Sequence, residues 1–213
     1  MTILSKLFGR PKMHADRIFA DAKKRVDQVY GPMGKVGIAV MRAATNSRDV
    51  IKGEILAPTE AKRKEVEVYV FWEFLYFYMH MAMRAAAAQL TKERIEKLQG
   101  YLGPLVSSVA IDSYCAHWPD ELKKKMTAEF YENLNNAELE YTQCANTASS
   151  SPGEEAATKQ MKALLMSVAF NISKLMCEGR TDIAVVTAVF DSALKESAAM
   201  DLARLITEIK KSQ

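Results

Sequence analysis

The 213-residue chain is poor in the residues that break or staple a fold. Nine glycines and six prolines exclude collagen-like and Pro/Gly-rich chains and are few for an all-β protein dense in turns. The three cysteines, Cys115, Cys144 and Cys177, lie far apart with no CxxC pair, which matches no zinc or iron–sulfur spacing. An odd number also argues against a disulfide-scaffolded secreted chain. Free thiols in a reducing cytoplasm are the expectation. The three histidines, His14, His80 and His117, are too few and scattered for a three-histidine zinc site. There is no GxxxxGK[ST], no GxGxxG after a strand, no HExxH and no GxSxG. Gly31, Gly34 and Gly37 recur every third residue but enclose Pro32 and Met33, and read as turn and packing glycines rather than a phosphate loop. The start, Met1 to Arg10, has no long apolar core or small-residue cleavage site, so no signal peptide is expected.

An uninterrupted apolar span is also lacking. Val66 to Leu90 is long enough to cross a bilayer, but it contains Glu73, His80 and Arg84, each costing several kcal/mol in lipid. A central helix, apolar all round and buried in a bundle, explains it better. No transmembrane segment is expected.

What the chain has is apolar mass, 49% of residues, with 26% charged, which excludes disorder. The net charge is +3, unevenly spread: residues 1–64 hold 14 basic and 6 acidic side chains, and residues 65–213 hold 15 and 20. The basic front end is read as neutralising the acidic remainder. Ile3, Leu4, Leu7 and Phe8 beside Lys6 and Arg10 read as a docking arm or frayed end. The runs Lys62-Arg63-Lys64 and Lys123-Lys124-Lys125 lack an aromatic platform or recognition helix. Nucleic acid is therefore not an expected partner, and these runs read as solvated faces.

Apolar spacing of three and four predicts helices through most of the chain. One covers residues 12–29. Gly34 to Ala44 reads as a short helix rather than a strand, because no second strand lies near to pair with it. Asn46-Ser47-Arg48-Asp49 is predicted to turn. Thr59 is placed to cap a helix running to about Leu90, and Thr91 to cap the next, which Gly103-Pro104 should kink or end. Pro119 opens a helix to about Ala148. Ser151, with Glu154 three residues on, is set to cap one running to about Cys177. Thr181 or Asp182 starts a last helix that reaches the C-terminus. The expected fold is an all-α bundle of six to seven helices, mostly antiparallel neighbours. It forms a single domain, 1–213, with short peripheral helices and an arm over 1–58 and a long-helix core over 59–211.

The chemistry-bearing signal is a set of polar residues on apolar faces. Glu73, His80 and Arg84 align on one side of one helix. Glu138, Asn171 and Asp191 sit among apolar residues of other helices, and Asp112 lies one turn from Val109 and Ala116. Buried polar groups must find partners, so Glu73, His80, Arg84, Glu138, Asn171 and Asp191 are the candidate buried polar cluster. No Glu-x-x-His unit supports a di-metal site: Tyr76 follows Glu73 by three and Phe77 precedes His80 by three. No metal ligand set, cofactor or catalytic residue is assigned, and enzymatic activity is left open. The expectation is a helical interaction or regulatory protein without catalysis, a homo-oligomer, specifically a dimer, with a possible protein partner. The alternative is a small-molecule, metal or haem-binding bundle, or an enzyme, with a pocket near His80.

Overall fold

The structure, a computed structural model, describes residues 31–149 and 155–212. The helix expected over 12–29, the arm around Phe8, His14 and the Ser151–Glu154 cap lie outside the described residues. The fold is an all-α helical bundle, with no strand among the described residues. Its helices are α1 (Gly31–Ile51), α2 (Glu60–Ala87), α3 (Lys92–Cys115), α4 (Asp120–Ser149), α5 (Ala156–Met176), α6 (Ile183–Ala199) and α7 (Leu202–Lys211), with a 3₁₀ turn at Lys52–Glu54 after α1. None of the described helices is long and apolar enough to cross a membrane.

Two compact units emerge. The first takes its described residues from 31–42, 81–131 and 200–212. Its apolar centre includes Leu98, Leu102, Val106, Phe130, Leu205, Ile206 and Ile209, all buried. Arg94 donates to the carbonyls of Ile209 and Lys210 at 2.9 and 2.7 Å, satisfying acceptors that the end of α7 leaves open. Gly37 is needed here for close approach: a Cβ at this position would stand 2.6 Å from Leu105 Cδ2.

The second unit comprises residues 43–80 and 132–199. Its centre is the stretch of α2 from Val66 to His80, where Val70, Phe71, Trp72, Phe74, Leu75, Phe77 and Tyr78 are buried on every side of the helix. This is the all-round apolar helix that the sequence implies. Thr59 caps α2 as expected, accepting from the Lys62 N–H at 3.2 Å. Asp182 does the same for α6, taking the Ala184 and Val185 N–H groups at 2.8 and 3.2 Å. At the end of α5 the chain turns through left-handed Glu178 and Gly179, and the Gly179 N–H returns to the Lys174 carbonyl at 2.7 Å.

Three local expectations are corrected, and of the two outcomes expected at Gly103-Pro104, a kink or an end, the end does not occur. The residues from Asn46 to Asp49 are helical, inside α1. Their side chains bond elsewhere instead of competing for the backbone: Ser47 with Tyr78 at 2.6 Å, Asn46 with Glu196 at 3.0 Å, and Asp49 with Arg48 and Lys52. Pro104 does not end α3. The usual clash of a proline ring with the preceding Cβ is absent because that residue is Gly103. Thr91 stands at the start of α3, but its hydroxyl makes no capping bond. The last helix is not continuous: it breaks at Asp201, whose φ of 49° is left-handed, a region aspartate tolerates better than most residues. Arg204 braces the break at 2.7 Å.

Pro104 carries no N–H for the fourth carbonyl behind it, that of Gly100, and its ring faces solvent. Pro104→Ala is expected to stabilise the protein by about 1–2 kcal/mol, because the restored helical bond and alanine's propensity outweigh the extra freedom of the unfolded chain. Urea unfolding of the variant measures this, and a lower midpoint contradicts it.

Candidate functional site

α2, α4 and α5 bring a polar cluster together within the second unit. Glu73 Oε1 accepts from the Tyr141 hydroxyl at 3.0 Å and from Asn171 Nδ2 at 3.2 Å. The same amide nitrogen reaches Glu140 Oε1 and Oε2 at 3.1 and 3.2 Å. Ser167, one turn before Asn171, donates its hydroxyl to Glu140. Facing two carboxylates, the Asn171 side chain has to present its NH₂ and not its carbonyl. Its two protons thus serve three carboxylate oxygens.

The donor supply is short. Tyr141, Ser167 and Asn171 bring four protons to two carboxylates that have about eight lone-pair positions between them. The Glu73 carboxyl is held above its ordinary range. Burial is the main cause, the bonds from Asn171 and Tyr141 lower it part of the way, and the Glu140 charge raises it again. No cation figures among these influences. Burial also keeps the Tyr141 hydroxyl well above its usual value, with Glu73, Glu140 and Glu138 adding to the shift. Both bonds to Glu73 fall on Oε1, and no donor among the described residues reaches Oε2.

That carboxylate opens on a cavity of about 240 Å³ walled by Tyr69, Trp72 and Tyr76 of α2, Asn133, Asn136 and Glu140 of α4, and Asn171 and Leu175 of α5. A second cavity of about 640 Å³ continues from it, sharing Tyr69, Glu73, Asn171 and Leu175 and extending to Val66, Lys174 and Gly179. Together they form one groove with carboxylates and rings at its inner end.

His80 lies elsewhere. It is buried, with Nδ1 2.8 Å from Glu138 Oε2, and its ring is tilted over Tyr141 at 5.4 Å. Nδ1–H is the donor of that bond to the carboxylate, and Nε2 has no hydrogen-bond partner. His80 and Glu138 do not line the groove. Arg84 belongs to the first unit, half-buried. Asp191 is exposed, because the buried face of α6 passes through Val185, Val186, Val189, Ser192 and Ala193 and turns position 191 outward. Asp112 is exposed too, bonded to Ser108 and 3.9 Å from Lys123.

The cluster proposed from sequence thus separates into Glu73 with Asn171, and His80 with Glu138. Glu140, Tyr141, Ser167 and the asparagines of α4 were not foreseen. A signal for them existed: Asn133, Asn136 and Glu140 follow at three and four residues, a polar stripe at helical spacing. Among the described residues no group of three or more His, Cys, Asp or Glu side chains is arranged to hold a metal ion. Comparison of the chain with protein-family models, with curated proteins and with solved structures finds no match.

The raised Glu73 pKa carries a stability consequence with a definite sign. Its folded value lies above the unfolded 4.5, so its contribution is fully present below pH 4.5 and is lost as pH rises through the folded value. Glu73→Gln keeps the acceptor for Tyr141 and Asn171 and removes the charge. The variant is expected to be more stable than the parent at neutral pH, by roughly 1 kcal/mol, with the gap closing as pH falls toward 4. Denaturant curves at several pH values test this; a gap independent of pH contradicts it.

Proposed function

We propose that this protein is a non-catalytic regulatory protein whose bundle holds a receptor site for a small organic cation, an amine, in the Glu73 groove. The observation that carries this reading is the donor-poor carboxylate pair, Glu73 and Glu140, with no cation among the described residues acting on Glu73 and three aromatic rings in the same cavity wall. An ammonium group supplies what the pair lacks, charge and N–H donors. Tyr69, Trp72 and Tyr76 favour an organic cation over a hydrated metal ion, because ring faces attract ammonium groups and offer poor ligands to hard metals. The absence of a catalytic motif and the protonated state of the buried thiols fit a binding role: burial pushes Cys115 up to about 11 and raises Cys177. The free cysteines support placement in a reducing cytoplasm.

The test is titration with n-butylamine, followed by Trp72 fluorescence and amide chemical shifts. Saturable binding is expected, weakened about ten- to a hundredfold in Glu73→Gln by loss of a charged hydrogen bond. Affinity should rise as pH climbs through the elevated Glu73 pKa, because only the carboxylate pairs with ammonium. Absence of saturable binding, or equal affinity in the variant, overturns the reading. Saturation of the same residues by magnesium in place of the amine moves it to a metal site.

A second reading, self-association, rests on α6. Ile183, Thr187, Phe190 and Leu194 recur at four, three and four residues and form one stripe. Ile183 is 71% exposed and Leu194 46%. We take this stripe as the contact between two copies. Sedimentation should give a dimer that Leu194→Glu converts to monomer; a monomer at all concentrations contradicts it.

A further inference from the structure

Given the amine reading of the Glu73 groove, on which this step rests, we infer that the ligand is a monoamine carrying an uncharged, largely apolar tail, and not a diamine or polyamine. The inner cavity holds the carboxylates of Glu73 and Glu140, so a cationic head is drawn there. The outer cavity is larger, about 640 Å³, and a lone ammonium head leaves it empty. A molecule anchored at Glu73 reaches it directly, because the two cavities share Tyr69 and Leu175.

The outer cavity gives a second charge no reason to enter. Of its side chains other than Glu73, Lys62 and Lys174 balance Glu65 and Glu178 in formal charge. Lys62 already holds Glu65 at 2.8 Å. The remaining wall includes buried Val66, the ring of Tyr69 and Leu175, which is 37% exposed. Leu175 therefore presents apolar surface to solvent, and an alkyl or aryl tail removes it from water. Lysine stems alongside add methylene contact while their ammonium groups stay in solvent. An ammonium at that end of the ligand loses hydration against Val66 and Leu175 and meets lysine and glutamate charges that cancel, so nothing offsets that loss.

The experiment is calorimetric titration of the full chain with ethylamine, butylamine, hexylamine and 1,6-diaminohexane, with Glu73→Gln as the control. Affinity is expected to rise along the monoamines, by up to about fourfold per buried methylene, and the diamine is expected to bind at least tenfold more weakly than hexylamine. Leu175→Ser, a change at a half-exposed position that lines both cavities, should flatten the chain-length series. Affinity independent of chain length, or a diamine as tight as hexylamine, overturns the tail and leaves the amine site standing. Binding of none of the four amines, or hexylamine binding that survives Glu73→Gln undiminished, removes the amine site itself.

Discussion

The second unit depends on enclosing one helix. Between Val66 and His80, α2 buries apolar side chains around most of its circumference, and a helix of that kind is stable only when neighbours cover those sides. Burying a large aromatic or aliphatic side chain contributes roughly 1.5–3 kcal/mol, and this stretch buries Phe71, Trp72, Phe74, Leu75, Phe77 and Tyr78. Apolar contact is not directional, however, and does not specify which helix lies on which side. The polar groups on α2 do. Tyr78 is matched by Ser47 of α1, His80 by Glu138 of α4, and Glu73 by Tyr141 of α4 and Asn171 of α5. Each pair is satisfied in one arrangement and left wanting in a shifted one, at a cost of about 1–3 kcal/mol per stranded group. The hydrophobic effect drives the enclosure, and the hydrogen bonds choose its register.

Glu73 differs from the other two in what its partners achieve. Tyr78 and Ser47 are neutral and complete each other. His80 and Glu138 bring a proton donor to a half-exposed acceptor whose charge solvent screens. Glu73 meets a neutral phenol, an amide and a second carboxylate, so only one of its oxygens is bonded and none of these partners answers its charge. A well-filled apolar or amide side chain would pack α2 more stably at this position. Residues that cost a fold stability in this way are the usual mark of a binding site, where the ligand supplies the missing term. The groove beside Glu73 is where such a term can enter.

How much of this the sequence discloses follows from the range of the signal. The all-α bundle is legible because apolar spacing of three and four is local, and the buried helix expected from composition over Val66–Leu90 holds from Val66 to His80, while Ala87 and Ala88 are exposed. The helix end allowed for at Gly103-Pro104 and the turn expected at Asn46–Asp49 do not occur, because the residues that neutralise their breaking tendency act through pairings. One is a missing Cβ before the proline. The other is a set of partners for the Asn46, Ser47 and Asp49 side chains, among them Tyr78 and Glu196, far along the chain. Glu73 and Asn171 were visible as polar residues on apolar faces, but sharing the Asn171 amide with Glu140 depends on the rotation of α5 against α4. Asp191 follows a run of apolar residues in sequence, and yet 100° of rotation per residue carries it off the buried face.

The division between the two polar pairs decides what each can do. A ligand site needs an unmet requirement together with room to meet it. His80 has the requirement, a buried Nε2 without a partner, but neither cavity of the groove reaches it. Glu73 has both: a carboxylate edge without a donor and a cavity of about 240 Å³ against it. The rings that wall this cavity exclude part of the solvent and so lower the local dielectric, which raises the carboxyl pKa and equally strengthens any ion pair formed there. The desolvation that makes the Glu73 charge unfavourable on its own is thus the condition that would favour the proposed cation there. Glu140, tethered to Ser167 and Asn171, holds the second charge in place, and two fixed carboxylates on one amide discriminate by sign before any contact of shape is made.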